Sequence, residues 1–370
     1  EPIAVAYGEE GELRTHYFPT YRDRFVDKLG DREDLDSVFV TDASRYGDAF
    51  VFLVLNATNP GEYFYRDRQG RVNPIAKIAA SIDRAKLSPV EVFHVKSKDG
   101  VAIEAFLSVP KSTSGRAPLV VMPHGGPIGV HDARQYDPLV QYLASWGFAV
   151  LQVNYRGSSG YGLSFEKLGK KQWAKGIEDD IDAAVEHAMA LPAIDPDRIC
   201  IVGGSYGGFS ALASIVRHRD RYRCAVTING VTDVPLIADS SDTADSKASL
   251  AFFEEYIGDL ETERDKLLAI SPVYQTETMK APILIVQGTD DRRVDPDHAH
   301  RLIAMLELRG KPNQSLFVEK AAHSFTSEQW VTVAVRLRRF LTEQLKPGIE
   351  FSTDPFAPSE QGVEFVHPDG

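Results

Sequence analysis

Ile199-Cys-Ile-Val-Gly-Gly-Ser205-Tyr-Gly-Gly-Phe-Ser210 decides how the chain is read. An apolar, strand-like run from Ile199 to Val202 stops at Gly203. Ser205 follows, then Gly207 and Gly208, then a helical stretch over 209–217. The pattern is strand, sharp turn, helix, and Gly203-Gly-Ser205-Tyr-Gly207 matches G-x-S-x-G. So tight a turn leaves no space for side chains beside the serine. It lifts the Ser205 hydroxyl out of the sheet and lets the Tyr206 backbone N–H face a developing oxyanion. A plain glycine-rich turn or a dinucleotide loop would be the alternatives. The dinucleotide fingerprint fails because a serine stands where its second glycine belongs, and a P-loop fails for want of Gly-Lys-Ser/Thr.

Downstream and upstream of this turn, from Pro118, strands alternate with helices. Residues 119–122, 149–153, 199–202, 225–228, 283–286 and 315–318 read as short buried strands. Helices are expected over 132–146, 173–191, 297–308 and 328–345, with 231–270 irregular and partly helical. Such alternation means a mostly parallel sheet with helices on both faces, and a ligand site beyond the carboxyl ends of the strands. Glu178, Asp179, Asp180 and Asp182 crowd the early turns of one helix, where the positive end of its dipole explains them. Before this region, 90–96 and 101–109 form a hairpin around Lys98-Asp99-Gly100. Residues 1–85 are β-rich: 38–41, 50–55, 62–67 and 75–78 are close, evenly spaced strands that suggest a meander. One meander cannot bury both its faces, so it must pack on the main domain, on a partner chain or on more sheet. The chain thus divides into 1–85, a catalytic unit over 86–345, and a tail over 346–370 that Phe351, Phe356, Val363, Phe365 and Val366 can anchor.

A serine at such a turn needs a base, an orienting acid and an oxyanion hole. The expected chain order is Ser, then Asp or Glu, then His. Asp290 and Asp291 follow the strand that ends at Gly288; a solvated acidic loop is the plain alternative, and of the two Asp291 is chosen as the acid. His323 lies in the loop after the last strand. His187 and His218 sit on helices, His298 and His300 open one without the spacing of a metal site, and His16, His94 and His131 precede the serine; His367 is in the tail. The strand Val120-Val-Met-Pro-His124-Gly-Gly126-Pro127 runs into two glycines, like the oxyanion loops of esterases, and makes the Gly126 N–H the candidate second donor, with a plain turn as the alternative; His124 is either structural or helps to shape the loop.

With these pieces in place the sequence resembles the prolyl oligopeptidase family of serine peptidases, most closely its acylaminoacyl-peptidase-like branch. The motifs are His124-Gly-Gly-Pro127, Asn154-Tyr-Arg-Gly-Ser-Ser-Gly-Tyr-Gly162, Gly203-Gly-Ser-Tyr-Gly-Gly208, Gly288-Thr-Asp-Asp-Arg-Arg-Val294 and Ala322-His323-Ser-Phe325. The resemblance implies an α/β-hydrolase fold with Ser205 as nucleophile, Asp291 as acid and His323 as base. It implies oxyanion donors at Gly126 and Tyr206, and a substrate-backbone contact from Arg293. By position the region after Ile228 would shape the side-chain pocket, with Phe252, Phe253 and Tyr256 as wall candidates; core packing explains these three equally. Two departures stand out. The family carries a complete β-propeller before the hydrolase, whereas 1–85 resembles only its last strands. In the acid loop Val294-Asp295-Pro296 displaces the proline that commonly follows the valine.

The function expected is hydrolysis of peptide bonds in short, N-acylated or free peptides, with no metal or organic cofactor. A carboxylesterase on the same fold is the first rival, and a non-catalytic binding module the second. The net charge of −12 argues against nucleic acid or an anionic membrane as partner. No apolar run is long enough to span a bilayer, and with no visible signal peptide the cytoplasm is the expected compartment. Cys200 and Cys224 fall in apolar strand-like runs and read as buried thiols, two being too few for a disulfide framework. Unpaired N-terminal strands make a homo-oligomer an expectation to test.

Overall fold

The computed structural model describes residues 4–9, 12–17, 38–111, 115–240 and 242–345. The tail, with the anchoring expected of its apolar residues, lies outside them. Strands β1 (Ala4–Glu9) and β2 (Glu12–Tyr17) pair as an antiparallel hairpin. The meander follows as β3 (Val38–Ala43), β4 (Phe50–Asn56), β5 (Asn59–Arg66) and β6 (Val72–Lys77), a four-stranded antiparallel sheet in that order. Along β4 the side chains alternate with the period of a strand, so Phe50, Phe52 and Val54 share one buried face with Val38. Its dock on the rest of the chain is polar at the centre. Gln141 Nε2 donates to the carbonyls of Ala57 (3.2 Å) and Ser88 (2.8 Å), and its Oε1 accepts from the Ser88 N–H at 2.9 Å.

The large sheet has eight strands: β7 (Val90–Lys96), β8 (Ala102–Ser108), β9 (Ala117–Pro123), β10 (Ala149–Asn154), β11 (Ile194–Gly204), β12 (Cys224–Ile228), β13 (Ile283–Gly288) and β14 (Asn313–Val318). Their spatial order is β14-β13-β12-β11-β9-β10-β8-β7. All neighbours from β10 to β14 pair in parallel; β8 runs antiparallel to both β10 and β7. Both faces are covered. Ile199 and Ile201 of β11 pack with Ile177, Ile181, Phe209, Leu212 and Leu302 from the helices Gly176–Met189, Tyr206–Arg217 and Asp297–Leu308. Cys200 and Val202 point the other way, toward Val140, Leu143, Leu337 and Phe340 from Pro138–Ser145 and Ser327–Leu345. This is the α/β-hydrolase fold expected from the sequence, preceded by antiparallel sheet.

Three expectations need correction. Cys200 and Cys224 are not two thiols but a disulfide, S–S 1.98 Å. They are register partners on adjacent parallel strands with Cα atoms 4.8 Å apart, within reach of a bridge, which a count of cysteines does not reveal. The helix expected from 132 begins only at Pro138. Asp137 is extended (φ −111°, ψ 120°), and its side chain accepts from the N–H groups of Leu139 and Val140. Proline forces the preceding residue out of helical geometry and fits the first helical position, so the start is fixed there. The helix expected from 173 begins at Gly176, behind Ala174 at φ 55°. Its acids do more than meet a dipole, since Glu178, Asp180 and Asp182 are buried and hydrogen-bonded. Asp180 bonds the Arg156 guanidinium and backbone N–H, and Asp182 bonds His218 and Arg221.

Candidate active site

The site forms where β9, β11, β12, β13 and β14 end. Ser205 caps β11 with φ 55° and ψ −121°, a backbone conformation rare for a side-chain-bearing residue and held by its surroundings. Its N–H donates to the Ile228 carbonyl at 2.9 Å. The flanking glycines are dictated by contact. A Cβ on Gly203 would lie 2.1 Å from the Gly207 carbonyl oxygen, and one on Gly207 would lie 2.2 Å from that of Pro123. No side chain fits either place, so the turn closes onto the end of β9.

The acid loop and the histidine loop are stitched together by backbone. Asp290 N–H donates to the Ala321 carbonyl (2.9 Å), Thr289 N–H to that of Val318 (3.1 Å), and Lys320 N–H to Thr289 Oγ1 (2.8 Å). Within this frame the choice between the two aspartates is decided by geometry. Asp290 is exposed, whereas Asp291 is buried and its Oδ2 lies 2.8 Å from His323 Nδ1. Asp291 Oδ1 accepts from the N–H groups of Arg293 (2.8 Å) and Val294 (3.0 Å), which fixes the carboxylate in plane. That leaves the histidine ring half-open to solvent on its other side.

Asn229 was not foreseen. It follows β12 at φ 46°, a conformation asparagine tolerates better than most residues. Its Oδ1 accepts from the Gly288 N–H at 2.8 Å and its Nδ2 donates to the His323 carbonyl at 3.0 Å. Since Ile228 holds Ser205, the pair Ile228-Asn229 ties the serine turn, the acid loop and the histidine loop to one strand end. The sequence signal was an asparagine between a buried strand and Gly230.

On the opposite side, the loop after β9 approaches the serine. A Cβ on Gly125 would stand 3.5 Å from Ser205 Cβ, and Gly126 at φ 118° lines the same cavity as Ser205 and Tyr206. His124 holds this loop. Its ring stacks on Tyr155 with centroids 4.2 Å apart, and its Nε2 lies 2.9 Å from Ser158 Oγ. Burial pushes the His124 imidazole down to about 4, so it stays neutral. The Tyr206 N–H, at the first position of its helix, has no intrahelical acceptor.

The cavity beside Ser205 holds about 330 Å³, enough for one large side chain of a substrate. Trp173, Val231, Ile237, Phe252 and Phe253 make its wall, and Arg293 stands at its rim. Tyr256 is not part of the lining: it stacks on Phe252 at 4.5 Å and faces the Lys170 ammonium at 5.2 Å. Arg293 is exposed, with Nε 2.9 Å from Asp242 Oδ2. Trp173 was read as helix; the break at Ala174 turns it into the wall instead. Among the described residues no group of three His, Cys, Asp or Glu side chains could hold a metal, and no helix is long and apolar enough to cross a membrane.

Comparison with known proteins gives the family. The sequence model of the prolyl oligopeptidase family matches residues 134–348, more than half of the chain, and the chain belongs to that family. Dipeptidyl aminopeptidase BIII of Pseudoxanthomonas mexicana is 30% identical over 283 residues, 73% of this chain and 40% of that protein. The acylamino-acid-releasing enzyme of Homo sapiens is 31% identical over 255 residues, 65% of this chain and 34% of that one. The acylaminoacyl peptidase of Pyrococcus horikoshii has the same fold, with a TM-score of 0.77 at 24% identity over 95% of this chain and 55% of its own. The chain spans less than half the length of the curated relatives it matches.

Proposed function

We propose that this chain is a serine peptidase that cleaves short peptides, N-acylated ones among them, through an acyl-enzyme. Residues 86–345 form its catalytic unit. Ser205 attacks the scissile carbonyl, and His323 takes the hydroxyl proton through Nε2 and returns it to the leaving amine. Asp291 fixes the tautomer with the proton on Nδ1 and stabilises the imidazolium. The N–H groups of Gly126 and Tyr206 receive the oxyanion. Arg293 binds the peptide backbone at the rim, and the substrate side chain enters the apolar cavity against Phe252 and Phe253. The observation that carries this reading is the pair of buried Asp291 and half-open His323, 2.8 Å apart, tied through Asn229 and Ile228 to a serine at positive φ. Membership of a peptidase family supports the choice of amide substrates.

The reaction needs no cofactor. The sequence alone pointed to the cytoplasm; the Cys200–Cys224 bridge favours an oxidising compartment, where such bonds persist. The test is kcat/KM on a matched pair, an N-acetylated aminoacyl anilide and a short-chain acyl ester, with Ser205→Ala as control. Anilide cleavage that falls about 10⁶-fold in kcat in the variant is the expected result. Ester cleavage without anilide cleavage would replace the peptidase by a carboxylesterase, and no acyl transfer to water at all would leave a binding module.

A further inference from the structure

Beneath the floor of the cavity lies a buried carboxyl that the mechanism above does not use. Glu178, on the helix Gly176–Met189, is 1% exposed. Its Oε1 accepts from the Tyr206 hydroxyl at 2.9 Å, and its Oε2 has no partner among the described residues. Tyr206 is itself 1% exposed and packs edge-on against Trp173, centroids 4.5 Å apart, so the carboxyl reaches the candidate oxyanion hole through one fixed side chain. Ser210 Oγ, one helical turn beyond Tyr206, is buried without a partner and stands beside the carboxyl. Among the described residues no cation pairs with Glu178. Arg217, on the helix of Tyr206, attracts it only at a distance, because its guanidinium is held by Asp179, Asp182 and the Lys175 carbonyl. Tyr155, after β10, is the other titratable group that feels its charge. The ionisable groups of the neighbouring hairpin and of the helix itself are engaged elsewhere: Lys98 with Asp179, His94 with Glu104, and Asp99 and Asp180 with Arg156.

A carboxylate so enclosed, with only neutral donors in the Tyr206 and Ser210 hydroxyls and its own backbone N–H and with no cation paired to it, is costly, and a neutral acid with Ser210 Oγ to receive its proton is not. We propose that Glu178 is a positioning residue of this peptidase: as a neutral acid it anchors Tyr206 under the oxyanion hole, and loss of its proton slows acyl transfer at alkaline pH. The inference rests on the peptidase reading. A negative charge set behind Tyr206 opposes the negative charge that develops on the substrate oxygen in front of it, and in a partly desolvated site such an opposition amounts to about tenfold in rate. Burial pushes the Glu178 carboxyl up to about 7, which sets where the fall begins.

The experiment is the pH dependence of anilide kcat/KM in wild type, Glu178→Gln and Tyr206→Phe, with the melting temperature of each followed over the same range. Relative to E178Q, which keeps an acceptor for Tyr206 but cannot ionise, wild-type kcat/KM is expected to fall about tenfold between pH 6 and pH 9, a comparison in which the general base common to both cancels. In Y206F the acid loses its donor, holds its proton longer, and the fall moves to higher pH. The melting temperature gives a reading independent of turnover. Native Glu178 keeps its proton up to about 7 while the unfolded chain releases it near the ordinary glutamate value of 4.5, so wild-type stability declines across that window. E178Q therefore gains on wild type as pH rises through the window and gains nothing further above it. An alkaline fall that persists unchanged in E178Q, or in Y206F should E178Q not fold, overturns the role of Glu178 alone. A wild type inactive on the anilide, with E178Q still gaining in melting temperature, overturns the peptidase reading and leaves the neutral acid standing.

Discussion

At the scale of single residues, the site depends on groups whose task is to hold another group still. Asn229 is the sharpest case, because its two side-chain ends serve two different loops. Asn229→Ala removes the acceptor of a buried N–H and puts alanine at φ 46°. The expected cost is about 2–3 kcal/mol of stability and about a hundredfold in kcat, with a smaller change in KM, since the loops that carry acid and base lose their common anchor. Denaturant unfolding and steady-state kinetics on the same preparation check both; a full kcat would show that the loops hold each other without it. Ser205, Asp291 and His323, the proposed nucleophile, acid and base, were each singled out from sequence, because a nucleophile turn, an acid after a strand and a histidine in the last loop follow a fixed order. Asn229 and Glu178 were not, because neither shows its partner along the chain. Glu178 lies 28 positions from Tyr206, and only the packing of two helices brings them together.

At the scale of elements, helix starts are set by backbone chemistry more than by apolar content. The Asp137-Pro138 start and the positive φ at Ala174 both shorten helices that hydrophobic spacing alone extends. The second shortening has a functional result, since it frees Trp173 to wall the cavity. The join between the small sheet and the hydrolase is another element-level device. Gln141 sits on a helix of the large domain but spends its three hydrogen bonds on Ala57 and Ser88. Gln141→Ala leaves the buried Ser88 N–H without an acceptor. It is expected to loosen the docking by about 2 kcal/mol, read as faster amide exchange along β4 and β5 with β11 to β13 unchanged. Equal acceleration in both sheets would mean that they unfold as one unit.

At the scale of the whole molecule, one covalent bond crosses the middle of the sheet. Cys200 and Cys224 close a loop with a sequence separation of 24 around the serine turn and its helix. Replacing both by alanine is expected to lower unfolding stability by about 3 kcal/mol, measured as a shift in denaturant midpoint against the oxidised wild type. No shift would mean that packing between β11 and β12 already supplies the constraint. The sequence by itself determined the α/β alternation, the β-rich start, the serine turn and the order of acid and base. Those features are local, written in periods of two and 3.6 and in glycines that close contacts require. Only the tertiary structure brought Asp291 against His323, joined the cysteines, moved Tyr256 out of the cavity and Trp173 into it, and set a lone carboxyl behind Tyr206. Each of these depends on register or on the packing of distant segments, and the distance between two side chains far apart in a chain is fixed by the fold rather than by either neighbourhood.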